Sequence, residues 1–361
     1  MVTDSRSKER ATMHENTTET IGCDLGDKLS ELYVLGPNGD VEQPPAVRTT
    51  PKAFRAYFTR PAAHVVVEVG QHSRWVKELL EGLGHRVTVA NARRLKLISG
   101  SYAKTDVKDA ELLARMARAD EGLLSPVQHR GRSAQADLAV PKARDALVRM
   151  RTKLVNTVRG MVKCLGERLP SCAARGFLKK TSESIPEELE PAVAPILEVL
   201  KRIDEQIKVL DRTVERLAKK YPDVAVISQP PGVGTLTALV FLLTLENKER
   251  FKKSRDVASF LGLTPKRDQS GDSDRQLGIT KAGEGFTRRL AVTSANYILG
   301  PFGPDSDLRR WGLQLAQRGG KNAKKRALVA VARKLVVLMH RLWVTGEVYE
   351  PLGYGRKQQM A

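Results

Sequence analysis

The chain has 361 residues, of which 41% are hydrophobic, so it can bury a substantial core and is not a disordered polypeptide. Lys and Arg total 61 against 41 Asp and Glu, and the resulting formal charge of +20 implies a polyanionic partner, most commonly nucleic acid. A membrane surface is disfavoured, because we find no apolar run of membrane-spanning length and no secretory leader. The sparse cysteines, Cys23, Cys164 and Cys172, form no metal-type pair and fit a reducing cytoplasm, where we expect the protein.

Strand and helix patterns alternate in the first third of the chain, after a polar stretch over 1–19 that we expect to be disordered. Buried strands are predicted over 20–25 and 29–35, with a turn between them. The run HVVVEV over 64–69 is typical of a strand buried in a central sheet. A hairpin followed by alternating elements predicts an α/β domain with a mixed sheet over 20–125. Its other predicted elements are a short strand from Val41, helices over 53–57, 75–83 and 106–119, and a strand over 86–90.

The middle of the chain predicts two long amphipathic helices. After Pro141, apolar residues recur three and four positions apart as far as Leu165, and a second apolar seam runs through 191–220. They predict a helical connector over 141–220, either a coiled-coil hairpin or a bundle packed on the core, because a seam does not specify its partner. The opposite face of the first helix carries basic residues, namely Arg149, Arg151, Lys153, Arg159 and Lys163.

The last part of the chain predicts a mainly helical domain over 221–345, followed by a tail over 346–361. Helices are predicted over 235–245, 286–299 and 323–343, and a polar, Gly-rich loop over 266–285. The segment Pro231–Ala238 resembles a helix-hairpin-helix contact to a DNA backbone. A Gly turn before a buried helix is also common, so this pattern leaves both interpretations open.

Four acidic residues stand where the predicted α/β domain could bring them together. Asp24 lies near the end of the first strand, Glu68 lies in the apolar strand, and Asp106 and Asp109 share one face at the start of a helix. Carboxylates converging at one sheet edge can bind two Mg²⁺ or Mn²⁺ ions and support phosphoryl transfer. Taken singly, Asp24 fits a turn, Asp106 an N-cap and Asp109 a first-turn acid, whereas a carboxylate buried unpaired at Glu68 would be costly.

Glycines, hydroxyls and basic residues crowd the predicted loop. Backbone amides in such a segment can hold phosphate oxygens, and a serine there could act as a nucleophile. The spacing alone equally fits a solvated surface loop.

These motifs, taken in order, resemble the IS110 insertion-sequence family of DEDD transposases, also called bridge-RNA-guided recombinases and related to Piv-type DNA invertases. The resemblance covers nearly the whole chain from Thr20 to Trp343. It is carried by Ile21–Asp24, Val67–Glu68, Lys104–Ala110, Pro231–Gly234, Leu261–Pro265 and Gly278–Gly283.

The resemblance implies a RuvC-like (ribonuclease H-like) domain, a coiled-coil connector and a C-terminal transposase domain with a catalytic serine. Asp24, Glu68, Asp106 and Asp109 match the catalytic, metal-binding tetrad, and Ser270 matches the serine, with Ser273 as a nearby rival. The family implies DNA transposition with Mg²⁺ or Mn²⁺, donor and target DNA, a structured guide (bridge) RNA and a homo-oligomer, dimer or tetramer, associated with the nucleoid when active. Asp272 and Asp274 depart from the Gly- and Lys-rich loop of the family.

Two other functions stay open at this point. One is a metal-dependent DNA nuclease or junction resolvase that uses the tetrad without a serine intermediate. The other is a non-catalytic nucleic-acid-binding protein in which the acidic residues are structural. Mg²⁺-dependent DNA cleavage separates the transposase and the nuclease from a non-catalytic protein, and a covalent protein–DNA product separates a transposase from a nuclease.

Overall fold

The computed structural model describes residues 18–91, 105–270 and 273–353, apart from the side chains of residues 182, 268, 270 and 273–276. Most of the predicted disordered stretch over 1–19 and the end of the predicted tail lie outside the described residues. The chain divides into two compact units, the first ending at His129 and the second beginning at Arg130. The second unit contains both the predicted connector and the predicted C-terminal domain, whose separation stays a prediction.

The first unit combines strands and helices in an α/β arrangement. Its elements are β1 (Thr20–Leu25), β2 (Leu29–Leu35), β3 (Val41–Glu42), β4 (Val47–Arg48), α1 (Pro51–Phe58), β5 (His64–Glu68), α2 (Ser73–Gly82), β6 (Arg86–Ala90) and α3 (Asp106–Ala119). The strand order is β3-β2-β1-β5-β6, with β4 also paired to β2. β1, β5 and β6 are parallel, whereas β2 is antiparallel to β1, so the predicted mixed sheet is confirmed. That the domain is RuvC-like stays a prediction.

Helices cover both faces of this sheet. α1 and α2 pack on the face that carries Ile21, Cys23, Val65 and Val67, all fully buried. α3 packs on the opposite face, where Val66 contacts a cluster that includes Leu113 and Met116. Two apolar faces explain why β5 has an almost unbroken hydrophobic sequence. The central strand is therefore buried on both sides, as its sequence predicts.

The second unit is mainly helical. Its elements are α4 (Arg132–Cys164), α5 (Phe177–Thr181), α6 (Glu190–Ala218), α7 (Asp223–Ile227), α8 (Thr235–Leu245), α9 (Ser254–Phe260), β7 (Pro265–Ser270), β8 (Ser273–Ile279), α10 (Gly285–Leu299), α11 (Asp307–Gln317) and α12 (Ala323–Thr345). α8 is buried from Ala238 to Leu245 and forms the centre of the main core. In the described part of the chain, no helix is both long and apolar enough to cross a bilayer.

The start of the first long helix differs from the prediction. α4 begins at Arg132, and Pro141 lies inside it rather than before it. Proline removes one helical hydrogen bond, so its presence in a sequence predicts a helix boundary. Here Ala134 and Leu138 are buried in the main core, and Pro141 itself is buried. Burial of this face stabilises the extra turns and outweighs the missing bond.

The two long helices, α4 and α6, pack against each other and also contribute to the main core. Near their connection, Val155, Val158 and Val162 form a separate cluster with Leu200 and the intervening Phe177. At the other end, Leu138, Val214 and Ala218 belong to the main core. The pair is thus a helical hairpin at one end and part of a bundle at the other.

The predicted loop over 266–285 is wrong for most of its length, because β7 and β8 form an antiparallel hairpin there. The hairpin belongs to a separate two-stranded sheet, and its residues Pro265–Arg267, Gln269, Leu277 and Gly278 are exposed. The sequence of the two strands does not alternate between apolar and polar residues, which is the pattern by which half-buried strands are recognised. α11 was also not predicted.

Candidate active site

The carboxyl ends of β1 and β5 carry two half-buried carboxylates, Asp24 and Glu68. In the parallel register Cys23 pairs with Val67, so Asp24 and Glu68 come next on neighbouring strands. Alternate residues of a strand point to opposite faces, and Cys23 and Val67 face the core beneath α1 and α2. Asp24 and Glu68 therefore lie on the other face, the one covered by α3.

α3 approaches β1 unusually closely at Gly22. A Cβ atom on Gly22 would lie 1.9 Å from the carbonyl oxygen of Ala110 and 2.8 Å from the amide nitrogen of Ala114. At the far end of the helix, Arg118 donates to the carbonyls of Leu35 (2.8 Å) and Gly36 (2.7 Å), beside the start of β1. α3 therefore runs antiparallel to β1, and its first turn lies at the carboxyl end of that strand.

The first turn of α3 carries Asp106 and Asp109. Thr105 caps the helix by accepting a hydrogen bond from the amide of Lys108 at 3.3 Å. Acidic residues at this position are stabilised by the helix dipole. Asp106 is exposed and Asp109 is half-buried. The structure thus brings all four predicted carboxylates to one edge and one face of the sheet.

The donor chemistry of this edge fits a hard divalent cation, since Mg²⁺ and Mn²⁺ prefer carboxylate oxygens. Within the described ranges, however, no three His, Cys, Asp or Glu side chains are arranged so that they could hold a metal ion. Like charges at one edge repel, so the side chains would have to be drawn inward by a cation. The backbone brings the donors to a common edge, whereas their assignment as ligands stays a prediction.

Two further polar residues at this edge were not predicted from sequence. Glu31 pairs directly with Asp24 across β1 and β2 and therefore lies on the same face. His72 follows β5, and its Nδ1 accepts the indole N–H of Trp75 at 3.0 Å. This bond leaves the proton of a neutral His72 on Nε2, which lies 3.7 Å from Asp27. The hairpin register could have identified Glu31, whereas His72 had no sequence signal.

The two candidate serines lie at the distal end of the β7–β8 hairpin. Ser270 ends β7, Ser273 begins β8, and their backbones are direct partners in the register. The two candidates are therefore neighbours at one end of the hairpin, and the register does not choose between them.

The base of that hairpin is anchored by glycines and one arginine. A Cβ on Gly262 would lie 2.1 Å from the carbonyl oxygen of Ala282, and one on Gly283 would lie 1.9 Å from that of Phe260. Both glycines have positive φ, which side chains rarely adopt. Arg288 donates to the carbonyls of Leu261 and Ala282 at 2.9 Å each. The sequence motifs on either side of the hairpin therefore fix its base.

The Pro231–Ala238 segment has a packing explanation. Gly232 has φ +80°, and a Cβ there would lie 2.8 Å from the carbonyl oxygen of Ser294 in α10. Close packing at this turn requires glycine, and α8, which follows, is a core helix. A contact with a DNA backbone is not needed to explain the motif and stays a prediction.

The basic face of α4 is only partly available to a ligand. Arg151 is 14% exposed and pairs with Asp204 of α6 at 2.8 Å. Arg159 donates to the carbonyl of Pro170 at 3.0 Å, and Arg149 pairs with Asp145 at 3.1 Å. Arg151 therefore joins the two helices, whereas Lys153 and Lys163 are exposed.

Comparison with known proteins gives matches over most of the chain. A DEDD transposase family of the IS110 type matches residues 21–165, and the transposase IS116/IS110/IS902 family matches residues 224–307. The transposase for insertion sequence element IS1111A of Coxiella burnetii is 27% identical over 352 residues, which are 95% of this chain and 93% of that protein. The transposase for insertion sequence element IS1328 of Yersinia enterocolitica is 28% identical over 287 residues, 77% of this chain and 83% of that protein.

The chain is also similar to a DNA-inverting protein. The pilin gene-inverting protein of Moraxella lacunata is 21% identical over 293 residues, 79% of this chain and 81% of that protein. The two family matches together cover more than half of the chain, in the order predicted from its motifs. They support a DNA-processing enzyme of transposition and do not favour a non-catalytic protein or a stand-alone nuclease. The chain belongs to the IS110 family of transposases.

Proposed function

We propose that this protein cuts and rejoins DNA strands with a metal-dependent carboxylate site on a RuvC-like domain and a serine nucleophile. The metal site consists of Asp24, Glu68, Asp106 and Asp109. The observation that supports it best is topological: two strand ends and one helix start bring these four residues to the same edge and face. Family membership adds support for a divalent metal, with Mg²⁺ or Mn²⁺ the ion that the carboxylate donors favour.

The carboxylates serve to hold the cation and to position the phosphate. A bound divalent ion stabilises the charge that develops on a phosphodiester and polarises the attacking hydroxyl. Asp24 and Glu68 extend from rigid strands, and Asp109 lies on a helix pressed against β1, so their backbones are well fixed. Fixed donors of this kind suit in-line phosphoryl transfer, which depends on positioning and electrostatics.

Ser270 is the proposed nucleophile. Its Oγ attacks the phosphorus, a phosphoserine bond forms, the P–O bond to the leaving strand breaks, and the leaving oxygen takes up a proton while the serine hydroxyl loses one. A free DNA hydroxyl then reverses the exchange and releases the serine. The covalent link conserves the phosphodiester energy, so rejoining needs no nucleotide hydrolysis. The anchored base of the β7–β8 hairpin supports a role in presenting this residue.

A structured guide RNA and a homo-oligomer, dimer or tetramer, complete the proposal. The charge of +20 suits a polyanion, and the exposed Lys153 and Lys163 leave part of the α4 face available. An element-encoded RNA should co-purify with the protein and be removed by RNase but not by DNase. Release of the bound nucleic acid by DNase alone would contradict the RNA assignment.

The central experiment compares Asp109→Asn, Ser270→Ala and the double variant in DNA exchange with Mg²⁺. Each single variant should lose most activity, and the double variant should be little worse, because both groups serve the same step. Asp40→Asn, an exposed carboxylate elsewhere in the first unit, is the matched control and should retain activity.

Trapping the intermediate identifies the nucleophile. A nicked substrate that prevents rejoining should accumulate a protein–DNA adduct, which mass spectrometry maps to a serine. An adduct at Ser273 would reassign the nucleophile. Normal activity of Ser270→Ala with free DNA ends would favour a nuclease without a covalent intermediate, and normal activity of Asp109→Asn would remove the metal-site assignment.

A further inference from the structure

A cavity of about 550 Å³ lies within the second unit, between α11 and α12. Its apolar wall includes Leu308, Val337 and Leu338. The segment after α12 borders it, because the amide of Asp307 donates to the carbonyl of Pro351 at 2.8 Å. Cavities of this volume hold ligands of nucleotide size. Most of the lining lies beyond residue 307, where the family match ends.

The lining has a strong excess of positive charge. Arg255, Arg333 and Lys334 make no ion pair with any described residue, and Arg341 is 3.6 Å from Glu347. Asp307 is the sole acid among the described residues of the lining, and its carboxylate accepts the amide N–H of Gly353 at 2.9 Å. Partial burial lowers the pKa of Lys334, although its side chain still reaches solvent, and a bound anion would favour the charged form. The charge of the cavity therefore favours an anionic ligand.

Aromatic side chains complete the cavity. Trp311 and Tyr349 line it, and both are half-buried. The Lys334 ammonium lies 3.7 Å from the centroid of the Trp311 ring. Aromatic rings beside cations and an apolar wall are the surroundings in which proteins hold unpaired nucleobases, by stacking and by contact with the neighbouring phosphate.

A basic stripe leads from the cavity along α12. Arg326, Arg333 and Arg341 share one face of the helix by their spacing and span roughly 22 Å. The first turn of α12 carries Lys324 and Lys325 as well, and no acid. Cations at a helix N-terminus oppose the dipole, so this arrangement costs stability and fits an anionic partner.

We propose that this cavity binds one unpaired nucleotide of a nucleic-acid strand. The base occupies the apolar wall beside Trp311, and its phosphates contact Arg255, Arg333 and Lys334. The stripe along α12 holds the adjoining strand. A paired base in a duplex cannot enter the cavity, so the site distinguishes unpaired from paired nucleotides. The proposal is independent of the carboxylate site and of the serine.

The test measures binding of the full-length protein in EDTA, where metal-dependent catalysis is absent. The probes are short oligothymidylate, oligouridylate and a DNA duplex of equal length, followed by fluorescence anisotropy over a series of salt concentrations. Arg333→Gln/Lys334→Gln should weaken single-strand binding about tenfold and reduce the salt slope by about 1.4, for two lost phosphate contacts. Duplex binding should change far less. Both side chains are exposed, so the fold should be retained.

Lys201→Gln/Lys208→Gln is the matched control, because it removes the same charge from exposed positions on α6. It should leave the ratio of single-strand to duplex affinity unchanged. A 4-thiothymidine or 4-thiouridine probe should crosslink to Trp311 or Tyr349. Whichever of oligothymidylate and oligouridylate binds with the higher affinity identifies the bound strand as DNA or RNA. Equal losses for single strand and duplex, equal effects of the control, or crosslinks confined to other segments would each overturn the proposal.

Discussion

Replacing Gly22 by alanine should damage the first unit far more than its size suggests. The new Cβ would lie 1.9 Å from the Ala110 carbonyl oxygen, whereas ordinary contact begins near 3.4 Å. α3 must therefore move away from β1 by about 1.5 Å, because the atoms that the Cβ would contact belong to the helix backbone and cannot rotate aside. Overpacking of this kind costs about 3 kcal/mol. In a unit of this size, that lowers the melting temperature by roughly 12 °C.

Gly82→Ala is the matched control, because a Cβ there meets nothing within 4 Å at the end of α2. Thermal unfolding followed by circular dichroism should show Gly82→Ala at or slightly above the wild-type melting temperature. Calorimetric titration with Mn²⁺ should show weaker binding in Gly22→Ala, since the retreat of α3 moves the turn that carries Asp109. Equal melting temperatures for the two variants would refute the close contact between α3 and β1.

Three further outcomes are expected. Glu31→Gln should weaken Mn²⁺ binding several-fold in calorimetry, because it removes a charge beside the metal site, whereas Glu42→Gln on exposed β3 should not; equal affinities would exclude a contribution from Glu31. Arg288→Ala leaves two carbonyls at the hairpin base unpaired and should cost about 2 kcal/mol in denaturant unfolding, a loss that unchanged stability would contradict. Burial and the hydrogen bond to Asp137 raise the pKa of Tyr221 to about 12. The protonated hydroxyl therefore contributes to the free energy of unfolding below pH 10, and this contribution is lost as pH rises to about 12. Tyr221→Phe should flatten this alkaline decline in stability, and an unchanged slope would argue against the prediction.

Local sequence was sufficient wherever an element carries its own signal. The strands over 20–25 and 86–90 and the helix over 106–119 have the predicted bounds. Their signals are short range: apolar runs for strands that are buried, and acidic residues at the start of α3, although the N-cap of that helix is Thr105 and not Asp106. The order of the motifs was also sufficient to indicate the family, because it depends on residue identity and not on packing.

Tertiary structure decided which face and which edge each residue occupies. The position of Glu31 beside Asp24 was not predicted and follows from the register of β1 and β2. The need for glycine at position 22 depends on a helix more than eighty residues away. Pro141 predicted a helix boundary, yet burial of its helix face outweighs the missing hydrogen bond. The sequence of the β7–β8 hairpin lacks the alternation that a buried face imposes. The contacts of Gly22 and of the helix face that includes Pro141 join segments far apart in the chain, and no local pattern of residues contains their free energy.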